Sequence, residues 1–517
     1  MKQIQQLGIF LFSTAFVAWI ALNFIDTSHS IDIKLLKTTF SDSTKTAALL
    51  TAFAINDEKI GTYGKYETLT TIQKNLKQTQ TLLSSTQNQL SDYDVKTATY
   101  QLIKSSTTSF WVNFLQNSFY WLLLIALLGA FLYILPEWKK PEGIKHNGIF
   151  TASATSRGVI AWSLSAFLIL FYILLYFQPQ YLTNWIIMLD SIAKKLNGNG
   201  ASQWFLYGFL YTVSVLVMGV RMLLKYRHNQ YQLVRTASVM FFQLCFAFLL
   251  PQFLEFWKLP AVDLKNMWPL DYSFFFDYRL NNLLQSGKFG FFLLGWGIVL
   301  FLVGMPVMTY FYGKRWYCSW VCGCGGLAET LGDPFRQLSD KSTKAWKFER
   351  YSINIVTVLV TVMTLLVIIT YTTGVLGISY TVRDWYGFLI GAVFSGVIGT
   401  GLYPVMGNRV WCRFGCPLAG YMGMLQRVQS CFRITTNGAQ CISCGNCSTY
   451  CEQGIDVRAY AQRGQDIVRA SCVGCGVCAA VCPRGVLRLE NAGSDVKHRA
   501  SEQRVIHVRL EDVRILR

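Results

Sequence analysis

Cys441-Ile-Ser-Cys444-Gly-Asn-Cys447-Ser-Thr-Tyr-Cys451 and, twenty residues further on, Cys472-Val-Gly-Cys475-Gly-Val-Cys478-Ala-Ala-Val-Cys482-Pro483 decide how the last part of this chain folds. Each run spaces its thiols by two, two and three residues. Three close cysteines can wrap one iron–sulfur cube, while the fourth points away and reaches the cube of the other run. The expected ligand sets are therefore crossed. Cys441, Cys444, Cys447 and Cys482 hold one [4Fe–4S] cluster, and Cys472, Cys475, Cys478 and Cys451 hold the second. Cys-x2-Cys pairs also suit tetrahedral zinc, but eight cysteines in two duplicated runs fit the pair of cubes. Gly445, Gly474 and Gly476 allow the tight turns that aim backbone N–H groups at cluster sulfurs. One departure stands out: Glu452 follows Cys451 where a proline is usual.

Upstream of this segment the composition changes the solvent. Hydrophobic residues make up 52% of the 517 and charged ones 15%, well below the roughly 25% charged of soluble domains. A spanning helix needs about 20 mostly apolar residues. Eight stretches meet this, near 7–25, 117–136, 158–178, 203–220, 237–255, 289–312, 352–376 and 386–405. The first reads as an anchor because it is long for a signal-peptide core and no A-x-A cleavage site follows closely. Basic residues favour the cytoplasmic side. With the N-terminus inside, the inner pieces carry +17 and the outer pieces +2, which together account for the net +19. The basicity is thus a topology signal, and nucleic acid is not needed to explain it. The expected location is a bacterial inner membrane, multi-pass, with both termini cytoplasmic.

Two cytoplasmic loops repeat each other. Gly-Lys-Arg-Trp-Tyr-Cys318-Ser-Trp-Val-Cys322 and Gly-Asn-Arg-Val-Trp-Cys412-Arg-Phe-Gly-Cys416 share Gly313/Gly407, Arg315/Arg409, an aromatic at Tyr317/Trp411 and the Cys-x3-Cys. Both follow Pro-Val-Met near a helix end. Two thiols cannot complete a metal site, but two pairs can. The expectation is one shared redox site of Cys318, Cys322, Cys412 and Cys416, either a third Fe–S cluster or redox-active dithiols. The plainer alternative is that the pairs only brace the loops. Cys324 and Cys431 could each serve as a ligand, though such extra thiols are more often bystanders, and Cys245, inside a membrane helix, reads as a small apolar residue.

Together these residues resemble the membrane polyferredoxin accessory proteins of the NapH, NosR and CcoG type, over roughly residues 289–490. That family combines membrane helices, two Cys-x3-Cys-Pro loops and a C-terminal pair of [4Fe–4S] motifs. The match is strong at Cys441–Pro483 and good at Cys412-Arg-Phe-Gly-Cys416-Pro417 in the second loop. At the first loop Gly323 replaces the proline and Cys324 is added. Members of the NosR kind also carry an outer flavin-binding domain with a modified threonine. The 26–116 segment has no counterpart, and Thr-Ala-Ser-Ala-Thr at 151–155 is only an echo on the inner side. Haem lacks ligands, since His29, His146, His228, His498 and His507 all lie outside the eight stretches.

The resulting expectation is an α-helical membrane protein of about eight transmembrane helices with a C-terminal α+β bacterial 2[4Fe–4S] ferredoxin-like domain. Its parts are an anchor (1–25), an extracytoplasmic helical segment (26–116), helices two to six (117–312), a first cysteine loop (313–351), helices seven and eight (352–405), a second cysteine loop (406–430), the ferredoxin domain (431–490) and a tail (491–517). The alternating tail stretch 504–510 reads as an edge strand. Within 67–104, helical spacing of Ile72, Leu76, Leu83 and Leu90 reads as a helical hairpin. The aromatic stretch 256–288 reads as an outer interfacial loop, with a quinone pocket as the rarer reading. The function implied is one-electron transfer between a cytoplasmic or quinone donor and a membrane or periplasmic redox partner. No catalytic residue is assigned, because such a chain serves an oxidoreductase system and is not an enzyme by itself. The rival readings are an assembly factor supplying reducing equivalents for a copper-oxidase-type metalloenzyme, and a redox sensor or scaffold.

Overall fold

The computed structural model describes residues 2–40, 43–54, 62–83, 91–139, 152–313, 315–374, 377–429, 432–437 and 440–491. Cys431, Leu90, Thr151, His146, His498, His507 and the 504–510 stretch lie outside the described residues. Among those described, seven helices are long and apolar enough to cross a membrane: Lys2–Asn23, Ser109–Lys139, Val159–Phe177, Gln203–Lys225, Gln230–Phe256, Gly287–Tyr312 and Thr343–Thr373. The eighth expected stretch is also helical, as Ile378–Tyr386 running into a π-helical Gly387–Ile398. Arg383 and Asp384 in its first turns shorten the apolar part. The chain divides into two compact units.

The first unit contains residues 1–140, 170–213 and 248–261. Its two long helices, Lys2–Asn23 and Ser109–Ile134, cross at glycines. A Cβ at Gly8 would stand 2.6 Å from the Gly129 carbonyl oxygen, and one at Gly129 2.7 Å from the Phe12 nitrogen. In lipid, helices gain little from burying apolar surface against each other, so close backbone approach and packing hold them. Trp185 adds a stacked contact with Trp19, 3.9 Å between ring centres, and donates its N–H to the Trp19 carbonyl.

Between those helices the chain forms a small domain with its own core. Lys65–Leu83 and Asp92–Ser105 make the expected hairpin, and Ser91 with Asp94 closes a capping box at the second helix. Such a box satisfies two orphan N–H groups at once. Ile72, Leu76, Leu102 and Ile103 are buried against Leu36 and Leu49, whereas Leu82 faces solvent. The hydropathy pattern does not announce the antiparallel strands Ser28–Ser30 and Thr62–Gly64.

The second unit contains residues 141–169, 214–247 and 262–517. Its C-terminal part is α+β. Phe432–Thr436 pairs antiparallel with Leu487–Asn491, and the short helices Asn446–Thr449, Val457–Gln462 and Val477–Ala480 pack on it. The cysteine loops open from the ends of Met305–Tyr312 and Tyr403–Met406.

Within this unit residues 262–276 of the aromatic stretch pack among helices, while Tyr278 just beyond them is exposed. Met267 is fully buried beside the loop cysteines. Trp268 donates to Thr364 Oγ1 at 2.9 Å, in the middle of the Thr343–Thr373 helix. Tyr272 fills the space opposite Gly391, where a Cβ would stand 2.7 Å from its hydroxyl. The stretch enters among the helices at Val262, reaches the cysteine loops at Lys265–Met267 and returns at Asp277, where Arg383 holds it. Irregular backbone is tolerated at such depth only where protein surrounds it. The many aromatics supply that packing.

Candidate metal centres

The two ferredoxin runs surround two cavities. Cys441, Cys444, Cys447 and Cys482 line one, with about 360 Å³ of empty space partly open to solvent. Cys451, Cys472, Cys475 and Cys478 line the other, with about 380 Å³. The fold therefore groups the thiols as the crossed spacing expects. Among the described residues no three His, Cys, Asp or Glu side chains converge to hold a single metal ion, whereas each pocket presents four thiols, the donor set of an iron–sulfur cube. The backbone makes them by turning left-handed at Ser443, Gly445, Gly474 and Gly476. Burial pushes Cys447 and Cys451 each up to about 11 and Cys475 up to about 12. Without an added cation these thiols stay protonated at neutral pH; a bound metal centre supplies the charge that lets them ionise.

The repeated loops fold alike. Each begins at a left-handed glycine, Gly313 or Gly407, and runs through a five-residue helix, Trp316–Trp320 or Val410–Phe414. Each then closes by a bond from the second cysteine's N–H, 2.8 Å from Cys322 to the Tyr317 carbonyl and 3.0 Å from Cys416 to that of Trp411. Pro417 opens the helix after the second loop, and Gly323 opens the one after the first. A proline at a first helical position replaces an N–H that would be unpaired anyway, so its loss from the first loop leaves the shape intact. Gly325, in the place of Ala419, is required because the Cys318 carbonyl lies 1.8 Å from where its Cβ would be.

The two loops interlock. Arg315 donates to the carbonyl of Cys412 at 3.0 Å, and Arg409 donates to the carbonyl of Cys318 at 3.3 Å. Each repeat thus holds the first cysteine of the other by the same arginine. Cys318, Cys322, Cys412 and Cys416 are all buried in one cluster. Burial pushes Cys318, Cys412 and Cys416 up. Cys322 is drawn down to about 6 by a hydrogen bond from the Cys324 thiol, which the same bond raises. Cys324 occupies the place of Leu418 in the other repeat. Tyr317 donates to the Lys265 carbonyl at 2.8 Å, and Lys265 pairs with Asp263.

A buried charge network, which spacing alone could not reveal, joins these loops to the ferredoxin domain. Arg409 donates to Glu329 at 2.9 Å and to Glu452 at 2.8 Å. Arg235 donates to the other oxygen of Glu329, and Arg336 reaches Asp333 and Glu452. Burial opposes ionisation of Glu452, but Arg409 and Arg336 hold it below the ordinary carboxylate range. Asp333, likewise opposed by burial, is drawn down to about 2 by Lys225, Arg336 and Arg221. The glutamate that replaces the usual proline is therefore the ferredoxin domain's anchor on the loops. Backbone bonds add to it. Ser319 donates to the Val473 carbonyl at 2.7 Å, Tyr231 to that of Gly474 at 2.9 Å and Gln232 to that of Cys475 at 2.6 Å. Val473 belongs to the buried cluster that holds the four loop cysteines, and half-buried Cys475 packs against it.

Comparison with known proteins finds iron–sulfur domains over the same stretches. Residues 433–483 match a 4Fe-4S dicluster domain. Residues 294–342 and 387–434, the two repeats, each match a 4Fe-4S binding domain. The "Putative electron transport protein YccM" of Escherichia coli (strain K12) is 25% identical over 171 residues, which is 31% of this chain and 47% of that protein. The chain thus spans about half the length of this curated relative. No solved structure matches.

Proposed function

We propose that this chain passes single electrons through three iron–sulfur sites fixed in a multi-pass membrane frame. Its 4Fe-4S domains and its electron-transport relative support iron–sulfur electron transfer in general; the number of sites and their residues are our reading. Cys441, Cys444, Cys447 and Cys482 would hold one [4Fe–4S] cluster, and Cys451, Cys472, Cys475 and Cys478 a second. Cys318, Cys322, Cys412 and Cys416 would hold a third. Bound clusters supply one-electron chemistry at potentials set by charge, hydrogen bonds and exposure. The chain's own residues fix the spacing of the sites. Arg315 and Arg409 lock the two loops together, while Ser319, Gln232 and Tyr231 hold the Val473–Cys475 backbone against them.

The observation that carries this reading is that Val473 shares one buried cluster with the four loop cysteines, and half-buried Cys475 packs against that cluster. A route from the ferredoxin domain to the bilayer needs that adjacency. A second reading, in which the loops hold a redox-active dithiol, rests on the same four thiols buried together. The chain would lie in a bacterial inner membrane with both termini cytoplasmic, as an accessory of the NapH, NosR and CcoG type. Its partners would be redox proteins and, at the bilayer, a quinone.

Native membranes carrying the 318/322/412/416 quadruple serine variant test the proposal. Their electron flux from a reduced viologen should collapse while the EPR of the ferredoxin pair persists. Undiminished flux contradicts a path through the loops. Two thiols that become alkylatable only after reduction, with no change in iron between wild type and variant, favour the dithiol.

A further inference from the structure

The two ferredoxin cavities differ in what surrounds them. The one lined by Cys451, Cys472, Cys475 and Cys478 is walled by buried Glu452, Gln453, Ile455 and Val457 and lies against the cysteine loops. The one lined by Cys441, Cys444, Cys447 and Cys482 opens outward: Cys444 is exposed and Ile442 beside it is 54% exposed. Arg458 and Arg484, both exposed, line the same cavity, and Pro483 between Cys482 and Arg484 is exposed too.

The most exposed charge on this domain is basic. Among the described residues of 432–491, the exposed charged side chains are Arg458, Arg463, Arg484 and Arg488. The acids are less exposed, Glu452 buried and Asp456, Asp466 and Glu490 half-buried. Glu452 is buried in the arginine network. Asp456 accepts from Ser448, Asp466 from the Thr436 N–H, and Glu490 from the Thr435 hydroxyl. The result is a small apolar centre at an exposed cysteine with arginines on its rim. Such an arrangement suits a short-lived redox encounter, in which the interface is small and opposite charge speeds association.

We propose that this rim is the docking face for a small acidic protein carrying a one-electron centre. The inference rests on the cluster reading above and adds the partner's chemistry and its place of contact. One electron leaves the carrier, which is oxidised, and enters the chain at the Cys441–Cys482 site, which is reduced; no bond forms and no proton need move.

The test uses the full chain in nanodiscs of neutral lipid under anaerobic conditions. Stopped-flow bleaching of the iron–sulfur absorbance is followed with two reductants, an acidic flavodoxin hydroquinone and the methyl viologen radical cation. The flavodoxin rate should fall about tenfold or more as salt rises from low to high, as electrostatically steered encounters do. R458E/R484E should lower it comparably at low salt. The same variant should be reduced by the cationic viologen at least as fast as wild type. If R458E/R484E loses iron, R458Q/R484Q gives the same comparison with a smaller effect. A flavodoxin rate indifferent to salt and to both variants, with viologen bleaching normal, overturns the docking face alone. A wild type that neither reductant bleaches removes the cluster reading, and the docking face with it.

Discussion

At the scale of single residues, Arg409 does the most. Its guanidinium meets Glu329, Glu452, the Cys318 carbonyl and, at 3.9 Å, the Cys412 sulfur, all in the interior. Removing one partner of a buried ion pair leaves the other charge stranded and costs about 3–5 kcal/mol. Arg409→Met should therefore destabilise the junction by about that much and lower iron bound at the loops, with the ferredoxin signals retained. Arg409→Lys keeps the charge but loses the planar fork that serves several acceptors at once, so it should recover only part of the loop iron. Metal analysis with EPR on the three proteins reads this; full iron in the methionine variant would mean that the clamp is dispensable. The sequence shows both arginines and the unusual Glu452, because repeat alignment and motif comparison expose them. It does not show that they meet. Residues 409 and 452 lie far apart along the chain, and arginine at a helix end reads equally well as membrane anchoring.

At the scale of elements, the helices were legible because length and hydropathy suffice to mark a span. The re-entrant stretch at 262–276 was not. Tryptophan and tyrosine are so common at membrane interfaces that an aromatic run between two helices reads as a surface loop. Only the contacts of Met267, Trp268 and Tyr272 reveal it as packed among helices. The 26–116 domain has its own sensitivity. His29 is wholly buried between Thr27 and Ser106, at 2.9 and 3.0 Å. Burial, reinforced by Lys65, lowers its pKa from 6.5 to about 4. Between those values the unfolded segment binds a proton that the folded one does not, so stability falls as pH drops from about 6.5 toward 4. The loss should approach about 3 kcal/mol, at 1.36 kcal/mol per pH unit. Hydrogen exchange of the 65–105 helices across this range should show the domain loosening in acid. His29→Gln should flatten the dependence. A wild-type profile that is flat from pH 7 to 4 would mean that the histidine is not held neutral.

At the scale of the whole molecule, the proposal is an ordered set of sites, from an exposed arginine-rimmed cysteine cavity through a buried one to four thiols at the ends of membrane helices. The eight ferredoxin cysteines were legible because their grammar is local, and the fold gathers them as the spacing expects. The loop pairs were half legible: the repeat suggests pairing, but only the reciprocal Arg315 and Arg409 bonds display it. The proposed orientation is open to direct test. Reporters fused after residues 60 and 500 should be active on opposite sides of the membrane, the first outside and the second in the cytoplasm. Both active on one side would contradict it. The most direct measurement of the central claim is iron and acid-labile sulfide per chain in anaerobically purified protein. Three [4Fe–4S] sites require about 12 of each, and Cys412→Ser should bring both to about 8 with the coupled EPR of the ferredoxin pair unchanged. A wild type that holds about 8 iron atoms per chain, with no loss in the serine variant, would contradict the third site.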